Sequence, residues 1–174
     1  MDSENMTFCK LLVLYMLDTA EFPLIGAQIS EFILGREYAE FLTLSEAEGE
    51  LLEAGLIRQN DEESSYHRTA FEITEEGQNT IDLFRNRIGR RIRVEVDEYF
   101  REHSLELRNE TSVYGDYYKS SDGEYEARLE IREKGSSLVD LKLTVPTESL
   151  AESVCEKWKE KNAQVYAFLA KELL

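Results

Sequence analysis

The sequence predicts an α+β fold, and three observations carry that prediction. Apolar residues recur every three or four positions over the first 55 residues, the spacing of amphipathic helices. Helical spacing returns over residues 78–103. In the last third, Tyr125–Ile131 and Val139–Val145 alternate apolar and polar residues, as antiparallel strands do. We therefore expect three parts: residues 1–77, a helical connector over 78–103, and an α+β module over 104–174, in which a C-terminal helix covers an antiparallel sheet.

The first helix is predicted from a cap at Asn5 or Thr7 to about Asp18. Its apolar stretch, Phe8–Leu17, follows acidic residues and contains Lys10, which is unlike a signal peptide. The stretch is also too short to span a bilayer. We interpret it as a core helix of a cytoplasmic protein.

The second and third helices follow closely. The second ends at Gly35, and its apolar face is formed by Ile25, Ile29, Phe32 and Ile33. In the third, Thr43 stands three residues before Glu46, the spacing of a capping box, and Leu42 is placed to staple the entry. Gly55 is expected to end this helix. The side chains predicted to face inward are Leu44, Ala47, Leu51 and Leu52.

A hairpin is predicted after the third helix. The runs Leu56–Asn60 and Tyr66–Ile73 flank an acidic turn at Asp61–Ser64. Thr74 then caps a new helix. Helix, helix, strand, turn, strand and helix start form the order of a winged helix-turn-helix, in which the third helix enters the DNA major groove.

The connector repeats apolar residues at helical spacing, namely Ile81, Phe84, Ile88, Ile92, Val96 and Tyr99. One long helix to about His103 and two helices broken near Gly89 are both compatible with this pattern. The first three of these apolar residues would suit a dimer interface. The connector also carries the main cluster of positive charge, Arg85, Arg87, Arg90, Arg91 and Arg93. This cluster is interpreted as an anion-binding or dimer surface, or as a helix face that pairs with acidic residues of the same chain or of a dimer mate.

In the last module, residues from about Leu105 to Tyr118 are predicted to form one or two strands that precede the alternating runs. Pro146 ends the sheet and Thr147 caps the final helix. The helix face that covers the sheet is predicted to contain Leu150, Val154, Trp158, Val165 and Leu169. Four tyrosines are interpreted as cross-strand packing residues or, alternatively, as the lining of a pocket: Tyr114, Tyr117, Tyr118 and Tyr125.

The composition, together with the absence of known catalytic motifs, disfavours several classes of function. With 20 basic and 36 acidic residues the net charge is −16, which repels nucleic acid and anionic membranes at long range. Cys9 and Cys155 are far apart and are interpreted as reduced core residues. His67 and His103 are interpreted as solvated, and the sequence contains none of the catalytic or nucleotide-binding motifs that define common enzyme classes. We therefore predict no enzyme, no catalytic residue, no cofactor and no bound metal.

Several segments, taken in order, carry a resemblance to a known family. They are Glu21–Leu24, Gln28–Ile33, Phe41–Leu44, Leu51–Ile57 and Ile73–Gly77, followed by Val145–Thr147 and Trp158. Together they resemble an uncharacterised bacterial winged-helix family, domain of unknown function 4364. The resemblance covers nearly the whole chain. It implies the fold, and it implies no activity.

Two functions follow from the shape and the charge. The first is a cytoplasmic, dimeric transcriptional regulator that binds duplex DNA through Thr43, Ser45, Glu46, Glu48, Gly49, Arg58 and Arg68. Residues 1–74, however, contain four basic and fifteen acidic residues, whereas DNA-binding proteins commonly make about six to ten cationic phosphate contacts. The alternative is a protein-interaction module, in which the acidic face of a winged-helix scaffold docks on a basic protein partner. Neither function involves a membrane.

Overall fold

The computed structural model describes residues 3–60, 69–133 and 136–174, and for Asn60, Asn109 and Thr111 the backbone alone. The described residues form six α-helices and two three-stranded antiparallel sheets, which confirms the α+β class. The chain divides into two compact units, Met1–Arg108 and Asn109–Leu174. No helix in the described ranges is both long enough and apolar enough to cross a membrane.

The first unit is built on a nearly fully buried helix. In chain order its elements are α1 (Ser3–Ala20), β1 (Leu24–Ile25), α2 (Gly26–Gly35), α3 (Phe41–Glu53), β2 (Ile57–Asn60), β3 (Ala70–Ile73), α4 (Glu75–Phe84), a 3-10 turn (Arg85–Arg87) and α5 (Arg90–Ser112), whose last residues belong to the second unit. Because α1 is apolar on all sides, it is covered by α3, α4 and β3 together. The predicted inward side chains Leu44, Ala47 and Leu51 are buried on α3, and Leu52 is half-buried.

The small sheet of the first unit has the strand order β1-β3-β2. Residues Ile57 and Ile73 pair across β2 and β3, so the predicted hairpin is confirmed. The predicted turn and the residues up to Arg68, including His67, lie outside the described ranges. Strand β1 was not predicted, because its two residues are too few to show an alternating pattern.

Two predicted helix starts are wrong. Helix α1 begins at Ser3, and the Thr7 hydroxyl donates to the Ser3 carbonyl inside the helix instead of capping it. Helix α3 begins at Phe41, so Thr43 lies within its first turn, and the supposed staple Leu42 is 67% exposed. At α3 the residue before the helix, Glu40, makes no capping hydrogen bond through its side chain, and the exposed first turn leaves the free amides to water.

The predicted cap at Thr74 is confirmed, since its hydroxyl accepts from the amide of Gly77 over 3.1 Å and donates to the Gly55 carbonyl over 2.7 Å. Gly55 itself has φ +69°, the left-handed conformation of a helix-ending glycine. These bonds join the end of α3 to the start of α4 and hold the hairpin between them.

The connector is broken, and α5 is longer than predicted. Helix α4 ends at Phe84, and a new helix begins just after Gly89. Residues 105–112, predicted as strand, are helical because Leu107 continues the buried face of Val96 and Phe100. The side chain of Gln28, also buried, donates to the Leu107 carbonyl over 3.0 Å and fixes α2 against this part of α5.

The second unit is a three-stranded sheet with one helix on it. Its elements are β4 (Val113–Lys119), β5 (Tyr125–Glu133), β6 (Ser136–Val145) and α6 (Glu148–Leu173), and the strand order is β4-β5-β6. Helix α6 packs on the sheet and is capped by Thr147, as predicted. Most of its predicted covering face is confirmed: Trp158 is buried, and Val154, Val165 and Leu169 pack against the core of this unit. Leu150 is 48% exposed instead, and Ala151, Cys155 and Asn162 are also buried. Gly115 leaves room for Trp158, because an added Cβ at Gly115 would lie 3.3 Å from Trp158 Cδ1.

Candidate nucleic-acid interface

Helix α3 presents a polar and acidic face to solvent. Of the predicted contact residues, Ser45, Glu46 and Gly49 are exposed and Thr43 is half-buried. Glu50, on the same helix, is held by Lys10 of α1, whose Nζ lies 2.7 Å from a carboxylate oxygen. This ion pair removes from the interface one of the few cations near α3.

Glu48 does not point outward as predicted. It is half-buried, and its Oε1 is shielded from solvent without a hydrogen-bond partner among the described protein atoms. Burial raises the pKa of this carboxyl group to about 7. Burial, with a smaller contribution from the charge of Glu48, raises the pKa of the Cys9 thiol to about 11. Glu48 therefore belongs to the packing between α1 and α3, and Cys9, like Cys155, is a free buried thiol, as predicted.

Arg58 is the one predicted cationic contact that the described residues contain. It lies on β2, and its Nε donates to Glu72 on β3 over 2.8 Å. Its guanidinium group remains 67% exposed, so a phosphate could still reach it. Arg68 lies outside the described ranges.

The arginine cluster is divided among several partners. Arg85 bridges Asp18 on α1 and Asp82 on α4, with nitrogen–oxygen distances of 3.3 and 2.7 Å. Arg91 pairs with Glu95 over 3.2 Å. These two ion pairs agree with the interpretation that the helix face pairs with acidic residues of its own chain. 

Other members of the cluster differ. Arg93 donates to the carbonyl of Ile88, and Arg87 and Arg90 are exposed. Ile81 and Ile88, expected to suit a dimer interface, are fully buried in the core of the first unit. That part of the expectation is wrong, because the break at Gly89 turns both side chains toward α1 and its neighbours.

The exposed apolar pair Phe41 and Leu42 was missed. These side chains, 66% and 67% exposed, stand at the start of α3 beside its acidic face. The sequence placed Leu42 in a staple because it assigned the cap to Thr43. The signal that would have found the pair is two adjacent apolar residues, because both cannot lie on the same inward face of a helix.

Chemically reactive arrangements are sparse. His103 lies 3.7 Å from Glu106, and His67 lies outside the described ranges. Within the part of the chain that the structure describes, no three His, Cys, Asp or Glu side chains converge to hold a metal ion. The Tyr117 and Tyr125 rings pack edge to face with centroids 6.4 Å apart, which agrees with cross-strand packing.

Comparison with known proteins gives one match. The model of the family described as Domain of unknown function (DUF4364) matches residues 9–173. Searches of curated proteins and of solved structures found no match.

Proposed function

The chain belongs to the family described as a domain of unknown function (DUF4364), and we propose from its fold that it is a dimeric winged-helix transcriptional regulator that binds duplex DNA. The observation that carries the proposal is the topology of the first unit. The first unit contains a three-stranded antiparallel sheet with the strand order β1-β3-β2. Along the chain, α2 and α3 lie between β1 and β2. A winged helix-turn-helix has this arrangement, with α3 as the recognition helix and the β2–β3 hairpin as the wing.

The side chains of α3 suit base contacts better than phosphate contacts. Gly49 has no side chain and Ser45 has a short one, so the helix backbone could approach the base edges closely. Glu46 and Glu53 are exposed acceptors that match the amino group of cytosine. Among residues 41–54 there is no lysine or arginine. Phosphate contacts are therefore assigned to Arg58 on β2 and to Arg68, which lies outside the described ranges, and a homodimer doubles their number.

This distribution has a consequence for binding. The sequence-independent part of DNA affinity comes mainly from Lys and Arg contacts to phosphate. Because this chain supplies few of these contacts, we expect it to bind random duplex weakly, with a Kd at or above the usual non-specific range of about 10⁻⁴ to 10⁻⁶ M. We also expect it to bind a selected sequence much more tightly than random duplex. 

The test is a selection of duplexes from a random pool, followed by fluorescence anisotropy of the enriched site at several salt concentrations. Arg58→Ala is expected to weaken binding about three- to tenfold and to lower the salt slope by about 0.9, the value for one phosphate contact. Arg101→Ala is the matched control, because Arg101 is also exposed and paired with an acid, Glu98. If no sequence is enriched and the dimer retards no duplex even at low salt, the proposal fails.

A second function is favoured by a different observation, the exposed apolar pair Phe41 and Leu42 next to acidic side chains. We propose as the alternative that this face docks on a protein whose surface is basic with an apolar centre, and that no DNA is bound directly. Apolar area and complementary charge together are what a specific protein interface needs.

Affinity purification from a native lysate tests the alternative. The double variant Phe41→Ser, Leu42→Ser should lose a stoichiometric basic protein that the wild type retains. Leu83→Ser is the matched control, since Leu83 is likewise an exposed apolar residue but belongs to α4. Recovery of nucleic acid alone, or equal loss in both variants, would count against the docking surface.

A further inference from the structure

An open cleft of about 660 Å³ lies in the first unit, between α5 and the turn that joins α2 to α3. The α5 side chains that line it are spaced three or four residues apart and therefore share one helix face: Arg91, Glu95, Glu98, Tyr99 and Glu102. Arg36 and Tyr38 of the turn form the opposite wall. The cleft thus lies where the turn between α2 and α3 faces the long helix α5.

The polar side chains at the centre of the cleft already have hydrogen-bond or ion-pair partners within the chain. Tyr38 donates its hydroxyl hydrogen to Glu95 Oε2, and Arg91 Nε donates to Glu95 Oε1 over 3.2 Å. Arg36 lies 4.1 Å above the Phe32 ring and 4.0 Å from Glu95, so its guanidinium is held from two sides. The Tyr38 hydrogen bond is the main cause that lowers the pKa of Glu95, which therefore stays ionised. Glu95 anchors the walls, and the ligand would have to use other groups.

The two ends of the cleft carry opposite charge. Arg91 is 91% exposed at one end, and its bond to Glu95 uses one of the five donors of a guanidinium group. Glu98 and Glu102 are exposed at the other end, where Glu98 Oε1 also lies 3.8 Å from an Arg101 nitrogen. Arg91 and Glu102 are eleven residues apart, which is about 16 Å along a helix axis. Tyr99 and Ile92 supply an apolar floor between them.

We propose that this cleft binds an extended zwitterion of the size of a short peptide. Its carboxylate would meet Arg91 and Arg36, and its amino group would meet Glu98 and Glu102. An extended tetrapeptide spans about 13 Å, which suits the separation of the two charged ends once side chains reach inward. A ligand with one charge would leave the charge at the other end without a partner, so the pattern selects for both.

The regulatory consequence of binding rests on the proposed DNA-binding function. The turn at Arg36–Tyr38 leads into α3, which begins three residues later. A ligand that bridges this turn and α5 would favour one orientation of α3 and would change DNA affinity. The binding itself does not depend on DNA, so the two ideas can fail separately.

The experiment is isothermal titration calorimetry of the full chain, without DNA, with tetra-alanine as the probe. We expect a Kd below about 1 mM. The N-acetylated peptide, which lacks the amine, and the C-terminal amide, which lacks the carboxylate, should each bind at least tenfold more weakly. Arg91→Gln and Glu102→Gln should each weaken tetra-alanine binding at least fivefold. Arg87→Gln, an exposed variant outside the cleft, should bind as the wild type does.

Three results would overturn the inference. They are equal binding of the blocked and free peptides, tighter binding of spermidine or inorganic phosphate than of tetra-alanine, and no heat of binding at about 10 mM peptide. A chain that binds tetra-alanine and no DNA keeps this inference and loses the proposed regulator. A chain that binds its selected DNA and no tetra-alanine does the reverse.

Discussion

Arg58 and Glu72 face each other across β2 and β3, with Arg58 Nε donating to Glu72 Oε2 over 2.8 Å. Arg128 and Asp140 form a similar pair across β5 and β6 in the second unit, over 2.9 Å. An exposed ion pair of this kind contributes only about 0–1 kcal/mol to stability. The pair with Glu72 therefore changes the stability of the chain little. It orients Arg58 on the proposed wing, and the Glu72 carboxylate neutralises part of the Arg58 charge.

The Arg58–Glu72 pair predicts the effect of removing the acid. Glu72→Gln should tighten binding to a selected duplex about three- to tenfold, because Arg58 then acts on phosphate with its full charge. The dependence on salt should steepen by well under about 0.9 in slope, because Arg58 already makes this one phosphate contact in the wild type. Anisotropy titrations over a range of salt measure both. Asp140→Asn likewise removes a carboxylate charge beside an arginine, Arg128, far from the proposed interface in sequence, so an equal effect of the two variants would contradict the prediction.

Glu48 predicts a pH dependence of stability. In the unfolded chain this carboxyl group loses its proton near pH 4.5, whereas burial keeps it protonated in the folded chain up to about pH 7. The free energy of unfolding should therefore fall as pH rises from about 4.5 to about 7, and the loss should be complete above that. Glu48→Gln should raise the free energy of unfolding at pH 8 by about 1–2 kcal/mol, a value reduced for the solvent that screens a half-buried group.

Urea denaturation of wild type and Glu48→Gln at pH 5 and pH 8 measures this difference. The gap should shrink at pH 5, where the folded carboxyl group is neutral. Glu46→Gln, on the exposed face of the same helix, serves as the control. A gap of the same size at both pH values would show that Glu48 is not the group responsible.

Two helical glycines predict opposite effects of alanine. At Gly77 an added Cβ would lie 2.1 Å from the Leu56 carbonyl oxygen and 2.7 Å from Ile73 Cγ1. Gly77→Ala should therefore destabilise the chain by about 1–3 kcal/mol or more, through backbone displacement. At Gly49 nothing lies within 4 Å, so Gly49→Ala should stabilise it by up to about 1 kcal/mol. Thermal denaturation of both variants compares them directly, and a change of the same sign in both would refute the described packing of α4 against the hairpin.

Trp158 and Leu150 predict which face of α6 covers the sheet. Trp158 is buried beside Gly115, so Trp158→Ala should cost about 3–5 kcal/mol of unfolding free energy. Leu150 is about half exposed, so Leu150→Ala should cost well under 1 kcal/mol. Chemical denaturation of both variants gives the comparison. Similar losses would show that Leu150 also packs on the sheet, as the spacing of the sequence predicted.

The structure confirms predictions that rest on local signals. Thr74 and Thr147 cap their helices because the hydroxyl of a threonine with an extended backbone reaches an amide of the next turn. This contact does not depend on distant parts of the chain. The hairpin and the alternating strands β5 and β6 were also predicted, since a two-residue period is visible within one element. The family resemblance is confirmed by the match over residues 9–173.

The wrong predictions depend on contacts between distant segments. Thr43 and Glu46 have the spacing of a capping box. However, α3 begins at Phe41, soon after the turn that contains Tyr38, so Thr43 lies inside the helix. Glu48 has the helical position of an outward residue, yet its carboxyl group lies near Cys9, 39 positions earlier in the chain. Leu107 prolongs α5 beyond the predicted end because it is buried against the first unit and because Gln28 binds its carbonyl.

The sequence by itself determined the α+β class, the places of most helices and strands and the excess of acidic charge, because spacing, turn residues and charge are read along the chain. Tertiary structure alone decided which charges are paired, as at Arg58, and which acid is buried, as at Glu48. It also formed the cleft between Arg36 and α5, whose walls come from segments more than 50 residues apart. The physical reason is that pairing and burial depend on distance in space, and residues far apart in the chain become neighbours only once the core has packed.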